Sequence, residues 1–184
     1  RNGLAYNNRG NSRYELLDYR AAIYDYDKSI ELNPNYLESY LNRGSAKTNL
    51  GDYFGAISDF SQAIKLKPDA KSYYNRGSVK SKLTGESQSA IDDFTKSIEL
   101  DSQYFQSYNN RGNVKKKIGD LKGAIIDFDQ AIIINPEYSI AYYNRGVAKQ
   151  ELGNNLDACN DFKLAINFAK SDLANWIQAQ ISFL

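Results

Sequence analysis

The chain has 184 residues, with 23 basic and 22 acidic side chains, a formal net charge of +1 and a mean hydropathy of −0.60. That balance describes a water-soluble chain with no global bias toward nucleic acid, and no apolar run approaches the ~20 residues that span a bilayer. Histidine is absent and Cys159 is the lone cysteine, which removes the commonest general base, an internal disulfide and any thiolate metal cluster.

One pattern recurs along the chain. The first segment, about 3–34, carries Tyr6 and Asn8-Arg9-Gly10 on one helical stripe, Ala22 and Tyr26 on a second, and closes at Asn33-Pro34. The second, about 35–68, restates it with Tyr40, Asn42-Arg43-Gly44, the turn Leu50-Gly51-Asp52, Ala56, Phe60 and Pro68. The third, about 69–102, has Tyr73, Asn75-Arg76-Gly77, Ala90 and Phe94. Its first stripe starts one residue early and its turn, residues 84–89, is one residue longer, so the spacing predicts a local distortion there. The fourth, about 103–136, carries Tyr108, Asn110-Arg111-Gly112, Ile118-Gly119-Asp120, Ala124, Phe128 and Pro136. The fifth, about 137–170, carries Tyr142, Asn144-Arg145-Gly146, Leu152-Gly153-Asn154, Ala158 and Phe162. A tail, about 172–184, follows. There Asp172 can cap a helix with Leu173, Trp176, Ile177, Ile181 and Leu184 on one side.

The Asn-Arg-Gly triplets step by 34, 33, 35 and 34 residues, while Ala22, Ala56, Ala90, Ala124 and Ala158 step by 34 throughout. A period of this size means a stacked array whose units bury their apolar faces only against neighbours. Apolar residues at i, i+3, i+4 and i+7 argue for helix. Glycine at the helix ends and proline just beyond supply the stops. Two antiparallel helices fit each unit. A mid-helix Gly costs about 1 kcal/mol relative to Ala, so its five-fold recurrence implies a close helix crossing, with the periodic Ala as the expected partner. Cys159, beside Ala158, is expected in the core.

Tyr, Gly, an apolar residue before Gly-Asp, then Ala, Phe, Ala and Pro at these offsets resemble the tetratricopeptide repeat over about residues 4–170. The resemblance implies an all-α, right-handed α-solenoid of five antiparallel helix pairs with a C-terminal capping helix, one domain over 1–184. It also implies a noncatalytic module whose concave groove, lined by first helices, binds a peptide or protein partner. The start at Arg1, without Met and in mid-pattern, reads as an excised fragment from which a signal peptide or further domains could have been removed, so localisation stays open, with a soluble, cytoplasmic protein slightly favoured.

The chain departs from the family pattern at one place. Arg9, Arg43, Arg76, Arg111 and Arg145 stand where Leu is usual, and Asp25, Asp59, Asp93, Asp127 and Asp161 recur with them. A guanidinium beside a buried Gly is tolerated when a carboxylate pairs with it, so the pattern predicts a ladder of Arg–Asp bridges.

For partner binding, Asn8, Asn42, Asn75, Asn110 and Asn144 lie about 100° round the helix from each Arg, and Asn11 and Asn113 share that face. Carboxamides offer donor and acceptor together, which suits an extended peptide backbone. Three other readings compete with this one. A clamp for acidic chaperone C-termini would use Asn11, Asn42 and Lys71, although Asn7 and Asn75 stand where that family mode needs cations. A polyanion or nucleic-acid surface would use the row Arg13, Lys47, Lys80, Lys115 and Lys149, thickened by Lys82, Lys116 and Lys117, with Tyr74 and Tyr143 as stacking platforms. Self-association would use the C-terminal helix through Phe183-Leu184. No GxxxxGK[ST] or GxGxxG occurs, and carboxylate pairs such as Asp92-Asp93 follow the repeat phase. No enzyme activity, cofactor, metal or membrane insertion is therefore expected.

Overall fold

The computed structural model describes residues 2–181, and every regular element among them is a helix. The chain divides into two compact units, Arg1–Leu100 and Asp101–Leu184. The first contains α1 (Gly3–Glu15), α2 (Tyr19–Leu32), α3 (Leu37–Asn49), α4 (Tyr53–Leu66), α5 (Ala70–Lys80) and α6 (Ser87–Leu100). The second contains α7 (Phe105–Lys117), α8 (Leu121–Ile134), α9 (Ser139–Glu151), α10 (Asn155–Phe168) and α11 (Ser171–Ile181). Within each unit, odd and even helices pair as hairpins, and each hairpin packs on the next.

The hairpin turn follows from local chemistry. Asp18, Asp52 and Asp120 cap the second helices by accepting from the amides of Ala21, Gly55 and Gly123. Just before the last two caps, Gly51 and Gly119 adopt φ of +79° and +88°, open to residues without a side chain. In the first hairpin Leu17 takes that left-handed place with φ +62°, a conformation that costs an L-residue about 1–2 kcal/mol. The third hairpin differs as its spacing requires. Its first helix starts under an Asp69 cap to Ser72 and runs 11 residues, against 13 for the other four.

Each core cell is built from one Ala, one aromatic ring and a small residue of the next hairpin: Ala22, Tyr26 and Ala46; Ala56, Phe60 and Val79; Ala124, Phe128 and Ala148. The recurrent Gly does not chiefly face the Ala. A Cβ on Gly10, Gly44, Gly112 or Gly146 would lie 2.6–2.8 Å from the nearest ring carbon of Tyr26, Phe60, Phe128 or Phe162. The Gly therefore makes room for the ring's edge, and a Cβ on Gly112 would also lie 3.1 Å from the Ala124 carbonyl.

At the C-terminal end Ile177 is fully buried with Tyr142 and Ala165. Trp176 stays half-exposed and meets the Tyr143 ring edge-on at 5.2 Å. Helix α11 begins at Ser171, so Asp172 lies inside its first turn. Cys159 is exposed, contrary to the sequence expectation, because Ala158 already occupies the inward position one residue earlier. Phe183 and Leu184 lie outside the described residues. No helix among the described residues is long and apolar enough to cross a membrane.

Candidate functional site

Charge on the first helices is largely engaged within each hairpin. Every Asp of the series receives a two-pronged guanidinium: Nε and Nη2 of Arg9, Arg43, Arg76, Arg111 and Arg145 bind the two oxygens of Asp25, Asp59, Asp93, Asp127 and Asp161 at 2.5–3.0 Å. One turn later Arg13, Lys47, Lys80, Lys115 and Lys149 close on the same carboxylates at 2.8 Å. The five Asp are buried. A third guanidinium nitrogen reaches back to the preceding hairpin, Arg43 to Asp27 at 2.5 Å, Arg145 to Asp129 at 2.6 Å and Arg76 to the Ser61 hydroxyl at 3.0 Å. Burial would lower the Arg43 pKa, but its hydrogen bonds to Asp59 and Asp27 outweigh this and raise it. Each Arg also lies over its own Tyr ring at 5.2–5.7 Å.

Each member of the cationic row is thereby bound to a buried Asp that it shares with an Arg. Of the stacking candidates, Tyr74 packs on Phe94 at 6.0 Å, and Tyr143 packs on Phe162 at 6.0 Å as well as on Trp176.

The asparagines separate into two kinds. Asn144 is buried and donates to Asn109 Oδ1 at 2.9 Å, so it belongs to the seam between hairpins and is corrected from binding residue to packing residue. Asn42 makes the same bond in the first unit, to Asn7 at 3.1 Å, and a second to Asn11 at 2.9 Å. Asn11 also accepts from the Tyr26 hydroxyl at 2.9 Å, and buried Asn7 accepts from Ser39 at 3.2 Å. Of the clamp residues, Asn11 and Asn42 hold each other, and Lys71 is exposed. Asn110 accepts from Asn109 at 3.1 Å. Asn8 is exposed, and Asn75 and Asn113 are partly exposed.

Two open concavities of about 280 and 200 Å³ line the first unit's inner face. Asn11, Tyr14, Glu15, Asn42 and Ser45 wall the first; Tyr14, Ser45, Asn49, Asn75, Ser78 and Lys82 wall the second. Tyr14 and Ser45 are common to both, so the two concavities adjoin, and Asn49 fixes the dividing ring by donating to the Tyr14 hydroxyl at 2.8 Å. Several of these residues escape a reading of Asn-Arg-Gly alone. The missing signal is the stripe i, i+3, i+7 that starts from each Asn: Asn8, Asn11, Glu15; Asn42, Ser45, Asn49; Asn75, Ser78, Lys82.

Tyr26 occupies the place that Phe60, Phe94, Phe128 and Phe162 take elsewhere, and its hydroxyl supports this wall through Asn11. Burial, with Tyr14 and Asp25 nearby, pushes its pKa up from 10 to about 12. The folded state therefore holds the proton longer than the unfolded chain. The resulting stability is complete below pH 10 and is lost as pH rises through about 12. The expected loss is about 1–2 kcal/mol between pH 9 and pH 11. Denaturant melts of Tyr26→Phe and the native chain at both values isolate it; parallel pH profiles would mean that this phenol ionises freely in the fold.

Profiles of the tetratricopeptide repeat match the chain at residues 3–36, 25–58 and 70–104, and a profile described as TPR repeat matches residues 112–153. No curated protein matches in sequence. Among solved structures, MamA protein is 28% identical, covers 90% of this chain and 91% of its own, and superposes with a TM-score of 0.78. MamA from Desulfovibrio magneticus RS-1 is 19% identical over 90% of this chain and 94% of its own, with a TM-score of 0.81. YrrB, described as a TPR protein with an unusual peptide-binding site, is 22% identical over 97% of this chain and 92% of its own, with a TM-score of 0.73. The last two likenesses speak for the α-solenoid fold alone.

Proposed function

Because the chain belongs to the tetratricopeptide repeat family, whose members are protein-interaction scaffolds, we propose that it is a noncatalytic module holding an extended peptide or protein segment along the groove of its first unit. One observation carries this reading: two adjoining concavities are lined mainly by uncharged carboxamides and hydroxyls, while the neighbouring cations are bound to buried Asp. Such a wall offers donors and acceptors to a peptide backbone without asking for one sequence. First helices packed about 8–10 Å apart meet an extended strand of 3.3 Å per residue about every third residue. On this face a polyanion would have to compete with Asp25, Asp59 and Asp93 for Arg13, Lys47 and Lys80.

The test is binding of a random octapeptide library, acetylated and amidated at its ends, to the full chain and to Ser45→Tyr. Ser45 stands in the wall common to both concavities, so the added ring obstructs the passage while leaving the Arg–Asp bonds alone. Capture should fall at least about tenfold, a loss of about 1.4 kcal/mol in binding, with thermal stability unchanged. Undiminished capture by Ser45→Tyr would place the binding surface elsewhere.

A further inference from the structure

The two concavities carry one charge of each sign among their lining residues: Glu15 lines the first and Lys82 the second, and Tyr14 and Ser45 are common to both. Glu15 and Lys82 are exposed, and neither forms an ion pair among the described residues. This sets them apart from Arg13, Lys47 and Lys80, which are bound to the buried carboxylates of Asp25, Asp59 and Asp93. The Lys82 ammonium is also held 5.5 Å over the Tyr53 ring, which limits its freedom.

We infer that this groove selects a segment by charge polarity: a Lys or Arg side chain set against Glu15 and an Asp or Glu side chain set against Lys82, with uncharged residues between. The inference rests on the peptide-binding reading above and adds both the composition and the orientation of the ligand. Glu15 ends α1 and Lys82 lies in the turn just past α5, two hairpins on, so their separation is about 16–20 Å at 8–10 Å per helix step. An extended chain covers that in about five or six residues. Reversing the segment would set like charges together at both ends, so complementarity fixes direction as well as register.

The experiment uses the same end-blocked octapeptide library, in which only side chains carry charge, with the native chain, Glu15→Lys, Lys82→Glu and the double exchange Glu15→Lys/Lys82→Glu. Peptides held by the native chain should be enriched up to about fivefold at each end for a base and an acid five or six residues apart, in one order only. That is the range of a solvent-exposed ion pair. Each single variant should lose the preference at its own end, and the double exchange should reverse the order. Both sites are surface positions, so melting temperatures should stay within about 2 °C. If native and exchanged chains hold peptides of the same charge order, the polarity inference is wrong while the groove stands. If the native chain holds no peptide, both readings fall together.

Discussion

Replacing Asp59 with Ala is expected to take about 3–5 kcal/mol from the stability of the first unit. This carboxylate is buried and receives Arg43 through Nε and Nη2 and Lys47 through Nζ. Without it two largely covered cations face each other, with Asp27 left to answer Arg43 alone. The decisive measurement is a double-mutant cycle in denaturant. Lys47→Met should be destabilising by about 1 kcal/mol in the native background, where it removes one ligand of a satisfied carboxylate. In the Asp59→Ala background the same change should be stabilising, because it removes a repulsion. That change of sign is the signature of a shared anion. Losses that simply add would mean that Asp59 does not compensate Lys47, and that the carboxylate is not shared between the two cations.

The fold was legible because its rules repeat. Ala, aromatic and Gly each recur at one phase, so an error in reading one hairpin is corrected by the other four. The inner face was less legible, since identical Asn residues serve two purposes. Asn42 and Asn144 are drawn into the seam because the preceding hairpins offer Asn7 and Asn109 as acceptors. In the second hairpin Leu41 holds the place of Asn7 and offers no acceptor, which leaves the Asn75 carboxamide to the groove. The doubled Asn-Asn-Arg-Gly of the first and fourth hairpins, against Leu-Asn-Arg-Gly in the second, was the visible sign of this difference. The backward reach of Arg43 and Arg145 had a similar sign in Asp27 and Asp129, which follow the aromatic of the hairpin before. Helical phase places an Asn on a face, but only the neighbouring hairpin decides whether its amide is already taken.

Gly44→Val is expected to destabilise the first unit by about 3 kcal/mol, and Gly44→Ala by about 1–2 kcal/mol, both against helix propensity. On an open helix face the Ala change would be favourable by about 1 kcal/mol. Here a Cβ would lie 2.8 Å from Phe60 Cε1 and 2.9 Å from Cζ. The ring cannot move aside, because it is 2% exposed and enclosed by Ala56, Val79, Leu41 and Ile57. Steric origin predicts a ranking as well as a sign. At Gly77 the nearest atoms of Phe94 and Asp93 stand at 3.1–3.2 Å, so Gly77→Ala should be milder than Gly44→Ala. A smaller partner should also relieve the overlap, and Gly44→Ala should cost less in a Phe60→Leu background than in the native one. Stabilisation by Gly44→Ala alone would show that these glycines are not there to admit the ring. The close approach of the paired helices would then need another cause.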